Sequence, residues 1–192
     1  MAKLFFRFSA MNAGKSAALL QVAHNYEEQG RRIKLYTSVV DDRYGVGRVA
    51  SRLGISRDAL VYHNAFNFLR DMHVEGVSCV LVDEAQFLTR EQVVQLHQVA
   101  HLKGVPVICY GLRSDFQGNP FPGAAHLLAL ADDLEEMKTI CECGRKASMN
   151  MRVDESGAAV VEGNQVEIGG NSRYRQVCPA CFYKKTKRVL AA

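Results

Sequence analysis

Residues 9 to 16, Ser9-Ala10-Met11-Asn12-Ala13-Gly14-Lys15-Ser16, carry the residue types of a phosphate-binding loop at the required spacing, except at the first position, where Ser9 stands in place of glycine. Gly14 lets the backbone turn so that its N–H groups face an anion. Lys15 supplies positive charge for the outer phosphates, and Ser16 offers a hydroxyl to magnesium. A helix start that merely happens to contain Gly-Lys-Ser would show the same three residues. The position of the loop between an apolar run and a helical pattern favours the phosphate reading.

A second run, Val80-Leu81-Val82, ends in Asp83-Glu84, the arrangement by which such loops are joined by one carboxylate near magnesium and another near the attacking group. Asp83 is the candidate on the metal side. Glu84 is the candidate base, accepting the proton of an acceptor hydroxyl as that oxygen attacks the γ-phosphorus. The same carboxylate could activate water, so the pair alone does not separate a kinase from an ATPase.

Four of the six cysteines form two close pairs, Cys141-x-Cys143 and Cys178-x2-Cys181. All histidines precede residue 127, which leaves four thiolates and no imidazole, and tetrahedral Zn2+ is the natural ion for four sulfurs. Four protein ligands leave no open position, so the zinc is expected to be structural. Cys79 and Cys109 lie in apolar runs and read as small buried hydrophobes. Between the cysteine pairs, residues 162 to 174 form a long polar loop anchored at both ends, the form expected of a lid. Two weaker signals are Asp41-Asp42-Arg43-Tyr44 and Gly111-Leu112-Arg113-Ser114-Asp115-Phe116. In these, Arg43 and Arg113 could meet phosphate and Phe116 an aromatic base, and each could equally be structural.

The elements that must hold these groups follow from periodicity. Lys3 to Phe8 reads as a strand entering the loop. A helix from Ala17 through Tyr26, closed by Gly30, leaves it. Ile33 to Thr37, Cys79 to Val82 and Val105 to Tyr110 are short, nearly continuous apolar runs, as expected of strands buried on both faces of a parallel sheet. Helices are expected over 65–74 and over 91–102, the latter opened by a Thr89/Gln92 capping box that places its start five residues beyond Glu84. Strands alternating with helices predict a doubly wound α/β domain over residues 1–140. From 141 to 192 the texture changes to two short β-like runs, 147–153 and 158–161, around an Asp154-Glu155-Ser156-Gly157 turn, with little apolar content. This second unit is expected to depend on its metal.

The 192 residues are 48% hydrophobic and 23% charged, with no repeat or low-complexity tract, which excludes fibrous, disordered and solenoid classes. No apolar stretch approaches the roughly 18 residues of a membrane span. The N-terminus lacks the pattern of a signal peptide, so a cytoplasmic location and no membrane partner are expected. The net charge of +4 arises entirely after residue 140, in a tail that includes Lys184, Lys185, Lys187 and Arg188. Such a tail is more often a solvated face than a nucleic-acid surface, and no nucleic-acid partner is assigned to it.

Taken together, the loop with Met-Asn inside it, Asp83-Glu84-Ala85-Gln86-Phe87, Leu112-Arg113-Ser114-Asp115-Phe116-Gln117, the four cysteines and Ile168-Gly169-Gly170 followed by Tyr174 resemble the type II, zinc-containing thymidine kinases, with local wording closest to the bacterial branch. The match spans nearly the whole chain. The resemblance implies a P-loop, RecA-like α/β fold with a small zinc-binding domain carrying a lasso-like lid. It implies transfer of the γ-phosphate of ATP, bound with Mg2+, to the 5′-hydroxyl of thymidine for nucleotide salvage, with Glu84 as base. By the same matching, Ser9, Ala10, Met11, Asn12, Ala13, Gly14, Lys15, Ser16, Asp41, Asp42, Arg43, Asp83, Glu84, Ala85 and Gln86 contact ATP and its magnesium. Met11, Phe87, Leu112, Phe116, Gln165, Val166, Glu167, Ile168, Gly169 and Tyr174 line the thymidine pocket. A homotetramer and inhibition by thymidine triphosphate are further implications. Ser9, Ala13 where many relatives have serine, and the short Cys141–Cys143 gap depart from the family pattern. A P-loop ATPase whose zinc knuckle and basic tail bind nucleic acid is the rival reading; it predicts polynucleotide-stimulated hydrolysis. A non-catalytic zinc-ribbon module would leave the loop and the Asp-Glu pair unexplained.

Overall fold

The computed structural model describes residues 1–167 and 173–187. Ile168, Gly169 and Gly170 of the expected pocket motif, and Arg188 of the basic tail, lie outside the described residues.

The chain runs through β1 (Leu4–Ser9), α1 (Lys15–Glu28), β2 (Arg32–Ser38), β3 (Arg48–Ala50), β4 (Ser56–Asp58), β5 (Leu60–Tyr62) and β6 (Val77–Val82). A 3-10 turn (Ala85–Phe87), α2 (Arg90–Lys103), β7 (Val107–Leu112), α3 (Pro122–Leu130) and β8 (Asp133–Glu136) follow. The remainder comprises β9 (Thr139–Ile140), β10 (Lys146–Ala147), β11 (Met149–Val153), β12 (Ala159–Val160), β13 (Tyr174–Val177) and α4 (Pro179–Thr186).

Six strands make one sheet in the order β5-β2-β6-β7-β1-β8, with every pairing parallel. The continuous apolar runs are explained by burial on both faces. Val80 and Val82 of β6 pack in the core with Val93 and Leu96 of α2 and Leu127 of α3, while Cys79 and Leu81 meet Leu19, Leu20 and Ala23 of α1 on the other face. Each of these valine and leucine side chains contributes about 1.5–3 kcal/mol of burial. Cys79 and Cys109 are fully buried. The doubly wound expectation holds. The carboxyl ends of β1, β6 and β7, where ligands bind in open α/β sheets, lie side by side.

The capping box is present: Gln92 N–H donates to Thr89 Oγ1 at 3.2 Å, and Thr89 N–H to Gln92 Oε1 at 3.0 Å. The same Gln92 amide donates to the carbonyls of His63 (2.8 Å) and Phe66 (2.9 Å). This explains why the helix expected over 65–74 does not form and the segment is a series of turns. Its backbone groups are claimed by side chains: Asn67 Oδ1 accepts the N–H groups of Leu69 and Arg70, and Phe68 N–H donates to Gln95 Oε1. The start of α2 lies beyond Glu84 as expected, and a separate 3-10 turn begins immediately after Glu84 without a side-chain cap from it.

Beyond β8 the strands are short and antiparallel. β9 pairs with β10, and β11 lies between β12 and β13. Seven buried residues, including Cys141, Met151, Cys178 and Phe182, form a separate small core there. Lys184 and Lys185 sit in the last turn of α4, and Lys185 pairs with Glu142. Among the described residues no helix is long and apolar enough to cross a membrane.

Candidate active site

The loop after β1 turns sharply ahead of α1. Asn12 (φ 62°) and Gly14 (φ 77°) take left-handed conformations, and Gly14 precedes α1 without a side-chain cap, leaving the first-turn N–H groups facing outward. Ser9, the last residue of β1, has no positive φ, so serine is free of strain there. Its hydroxyl donates to Ala10 O (2.6 Å) and accepts from Lys15 Nζ (3.0 Å), which also reaches Ala10 O (3.2 Å). Burial lowers the Lys15 pKa against the opposing charges of Glu84 and Asp83. The loop is tied to β11 and β13: Met11 N–H donates to Asn150 Oδ1 (2.8 Å), and Asn12 Nδ2 to Gln176 Oε1 (2.6 Å).

Asp83, the first residue after β6, is buried and accepts from Ser16 Oγ (3.0 Å) and Glu84 N–H (3.0 Å). Burial and then the charge of Glu84 push its carboxyl up to about 7. Glu84 itself is left-handed (φ 52°), a conformation that costs a residue with a Cβ about 1–2 kcal/mol. Its carbonyl is held by Tyr62 Oη at 2.8 Å. Arg43 Nη2 donates to Glu84 Oε1 and Gln86 Nε2 to Oε2, each at 2.5 Å, so each oxygen keeps a second lone pair. Burial depresses the Arg43 pKa, but hydrogen bonds and charge from Asp41 and Glu84 more than offset it and hold the guanidinium above its ordinary value. Gln86 Oε1 accepts from Leu112 N–H (3.0 Å), joining the turn to β7. A Cβ at Gly111 would lie 2.9 Å from that oxygen, which accounts for the glycine.

Two cavities open at this edge. One, of about 540 Å3, has aromatic and aliphatic walls from Phe87, Leu112, Phe116, Phe121, Val166 and Tyr174, with Gln86, Asp115, Asn150, Gln165 and Glu167 among its polar groups. The other, of about 1000 Å3, lies over residues 11 to 17 and is bordered by Tyr44, Arg52 and Leu53. Met11, Arg43, Glu84 and Leu112 line both.

Every residue expected in the nucleoside pocket that lies among the described residues thus lines the first cavity. Of those expected at ATP, Met11 to Ser16 and Arg43 line the second. Asp41 and Gln86 face the first cavity instead, and Ser9, Ala10, Asp42, Asp83 and Ala85 line neither. Arg113 lines neither cavity; its guanidinium lies 5.8 Å from the Phe8 ring centroid and 3.4 Å from Ser148 O, so its position is structural.

Sequence reasoning missed Asn150 and Arg152, buried polar residues of β11. The local sign, polar residues alternating along Met149-Asn150-Met151-Arg152-Val153, does not by itself separate a buried polar face from a solvated one. Arg152 lies 3.8 Å from the Phe116 ring centroid and donates to Tyr174 Oη (2.8 Å) and Asn164 O (2.8 Å). Tyr174 Oη donates to Glu167 O (3.0 Å), and Gln165 Nε2 to Asp115 Oδ2 (2.9 Å). Residues 164–167 are thereby tied down at the rim of the aromatic cavity. Phe121, which precedes α3, gave no signal in the sequence.

The four cysteine sulfurs lie within 4.8 Å of one another. Cys143 Sγ and Cys178 Sγ are 3.6 Å apart, too far for a disulfide and near the ~3.8 Å edge expected around a tetrahedral ion with zinc–sulfur bonds of about 2.3 Å. Burial raises the Cys141 thiol, but the N–H groups of Cys143 and Cys178 and the adjacent thiols outweigh it and bring it down to about 7. The Cys181 N–H, 3.4 Å from Cys178 Sγ, holds that thiol below its ordinary value. Donors aimed at sulfur in this way suit thiolates bound to zinc.

Comparison with known proteins agrees with this geometry. A family model described as thymidine kinase matches residues 2–182. Thymidine kinase of Chromobacterium violaceum is 60% identical, covering 95% of this chain and 99% of that protein. The Mannheimia succiniciproducens thymidine kinase is 51% identical (98% and 99% covered), and that of Idiomarina loihiensis 55% (93% and 94%). The loop, the strand-end carboxylates and the four cysteines therefore belong to a chain that is a member of the thymidine kinase family.

Proposed function

We propose that the chain transfers the γ-phosphate of ATP to the 5′-hydroxyl of thymidine, and that Glu84 is the general base. One observation carries this assignment: Glu84 lies on the wall common to the aromatic cavity and the phosphate cavity. A nucleoside seated in the first directs its hydroxyl toward a phosphate held in the second, and the carboxylate stands between them to take the proton. Arg43 and Gln86 fix the carboxylate and leave a lone pair on each oxygen for that proton.

The N–H groups of the loop and the uncapped start of α1 hold the ATP phosphates, with Lys15 balancing their outer charge. Magnesium brought with ATP supplies charge neutralisation, and Ser16 Oγ and Asp83, 3.0 Å apart, are the hard oxygen donors suited to hold it. Phe87, Phe116 and Tyr174 provide flat apolar walls for the thymine ring. The strap at 164–167 excludes water, which would otherwise compete for the phosphoryl group.

In this reading Cys141, Cys143, Cys178 and Cys181 hold a structural zinc, residues 1–140 form the ATP-binding domain, and residues 141–192 form the zinc-binding lid domain. The continuity of the cavities also accommodates one molecule with thymine in the first and a triphosphate in the second, which supports inhibition by thymidine triphosphate. The homotetramer rests on the family resemblance alone.

The test is a product assay with MgATP and thymidine, deoxyuridine, deoxycytidine or deoxyadenosine, with single-stranded DNA in parallel. Thymidine monophosphate is the expected product. ADP formed without any nucleoside monophosphate, and rising with DNA, would replace the kinase by the ATPase reading.

A further inference from the structure

A second group of metal-type ligands lies at the other end of the sheet from the active site. His97 and His101 stand one turn apart on α2, with ring centroids 4.4 Å apart. Asp132, between α3 and β8, faces them: His101 Nε2 is 3.0 Å from Asp132 Oδ2, and one ligand atom from each of the three residues lies within 4.8 Å of the others. None of the three lines either cavity.

Asp132 is bolted in place. Its Oδ2 accepts from Leu4 N–H at 2.8 Å, and its own N–H donates to Leu4 O at 2.9 Å. The carboxylate is thus oriented by the first residue of β1, as a metal-binding carboxylate is oriented by its outer hydrogen bonds. The His101 and Asp132 side chains are 31% and 26% exposed, which leaves the cluster open to an ion from solution.

We propose that His97, His101 and Asp132 form a binding site for a divalent transition metal, with Zn2+ as its best fit. Two imidazoles and a carboxylate are the ligand set of borderline ions and do not suit Mg2+ or Ca2+, which take oxygen. Bonds of about 2.1 Å place neighbouring ligands roughly 3.0 Å apart in octahedral and 3.4 Å in tetrahedral geometry, so the His101–Asp132 separation equals the first and needs a shift of about 0.4 Å for the second. His97 closes the remaining distance by rotating its ring. On binding, Nε2 of neutral His101 presents its lone pair to the ion and its proton moves to Nδ1, so the ion takes the place of the present hydrogen bond. Three protein ligands leave a position for water. The ion ties the last turn of α2 to the start of β1 through Asp132. Because β1 runs from Leu4 to the loop after Ser9, about 17 Å away at 3.3 Å per residue, the clamp is separate from phosphoryl transfer.

The experiment starts from full-length enzyme carrying one zinc per chain and dialyses it against buffered free Zn2+ at about 20 μM, followed by metal analysis and thermal melting. Wild-type protein is expected to take up a second zinc and to melt at higher temperature with it. H97Q and H101Q, both tolerated on a helix surface, are expected to keep the first zinc and the kinase activity while losing at least tenfold in affinity for the second. Wild-type protein that stays at one zinc per chain overturns the proposal. So does a second zinc bound equally well by both glutamine variants.

Discussion

Replacing Gly123 by alanine tests how the turn that carries Glu84 is held. Gly123 is the second residue of α3, and a Cβ there would lie 2.6 Å from Ala85 O, 2.7 Å from Leu88 O and 2.8 Å from Gln86 O. All three are backbone oxygens of the turn or its exit, so no flexible side chain can swing aside. Ordinary contact begins at 3.4 Å, and α3 and the turn must separate by about 0.6–0.8 Å to reach it. Neither partner moves freely. Ala124 and Leu127 lock α3 into the core, and the turn is fixed by the Tyr62–Glu84 and Gln86–Leu112 hydrogen bonds. The displacement also separates Phe87 from Phe121, whose rings meet edge to face at 5.9 Å in the nucleoside cavity wall. Overpacking of this kind costs about 1–3 kcal/mol, and misplacing a catalytic group by nearly 1 Å costs up to about 100-fold in rate. We therefore expect Gly123→Ala to lower the urea midpoint without changing the slope, and to lower kcat for thymidine phosphorylation by about 10- to 100-fold. Wild-type values of both would refute the claim that this contact positions Glu84.

Two further outcomes are expected. Asp83 is pushed up to about 7 in the folded chain against 3.8 for a free carboxyl, so between those values the folded state holds a proton that the unfolded state lacks. The contribution of this group to stability therefore falls as pH rises through that window. MgATP, which needs the carboxylate, should bind up to about tenfold more weakly per pH unit below about 7, and equilibrium titrations from pH 6 to 8 that show the same pH dependence for Asp83→Asn would contradict this. Cys178→Ser should reduce zinc content well below the one ion per chain expected at the four cysteines of the wild type and destabilise the segment around β11 and α4; a metal-poor variant as stable as wild type would rule out a structural role for the ion.

What the sequence disclosed, and what it hid, has a physical pattern. Elements whose burial is written in their own periodicity were legible: β1, β2, β6 and β7 as continuous apolar runs, and α2 from its capping box. The 65–74 segment was not, because the groups that prevent a helix there include Gln92 and Gln95, which lie 26 to 29 residues beyond the backbone groups they hold. At the site, residues within local motifs were readable: Lys15, Ser16, Asp83 and Glu84 lie where the loop and the strand end put them. The separation of Asp41 from the phosphate cavity was hidden, since it depends on how Arg43 bridges Asp41 and Glu84. Arg152 was hidden for a similar reason. A charged residue on a short strand looks solvated until Phe116, Tyr174 and Asn164 are brought around it by distant parts of the chain.

The most direct test of Glu84 as the base is single-turnover phosphoryl transfer from MgATP to thymidine by wild-type protein and Glu84→Gln, with ATP binding measured in parallel. The substitution keeps the shape of the side chain and removes its basicity. The rate of thymidine monophosphate formation is expected to fall by at least about 100-fold while ATP still binds. A rate near that of wild type would remove Glu84 from the reaction, and the wall common to the two cavities would then carry no catalytic group.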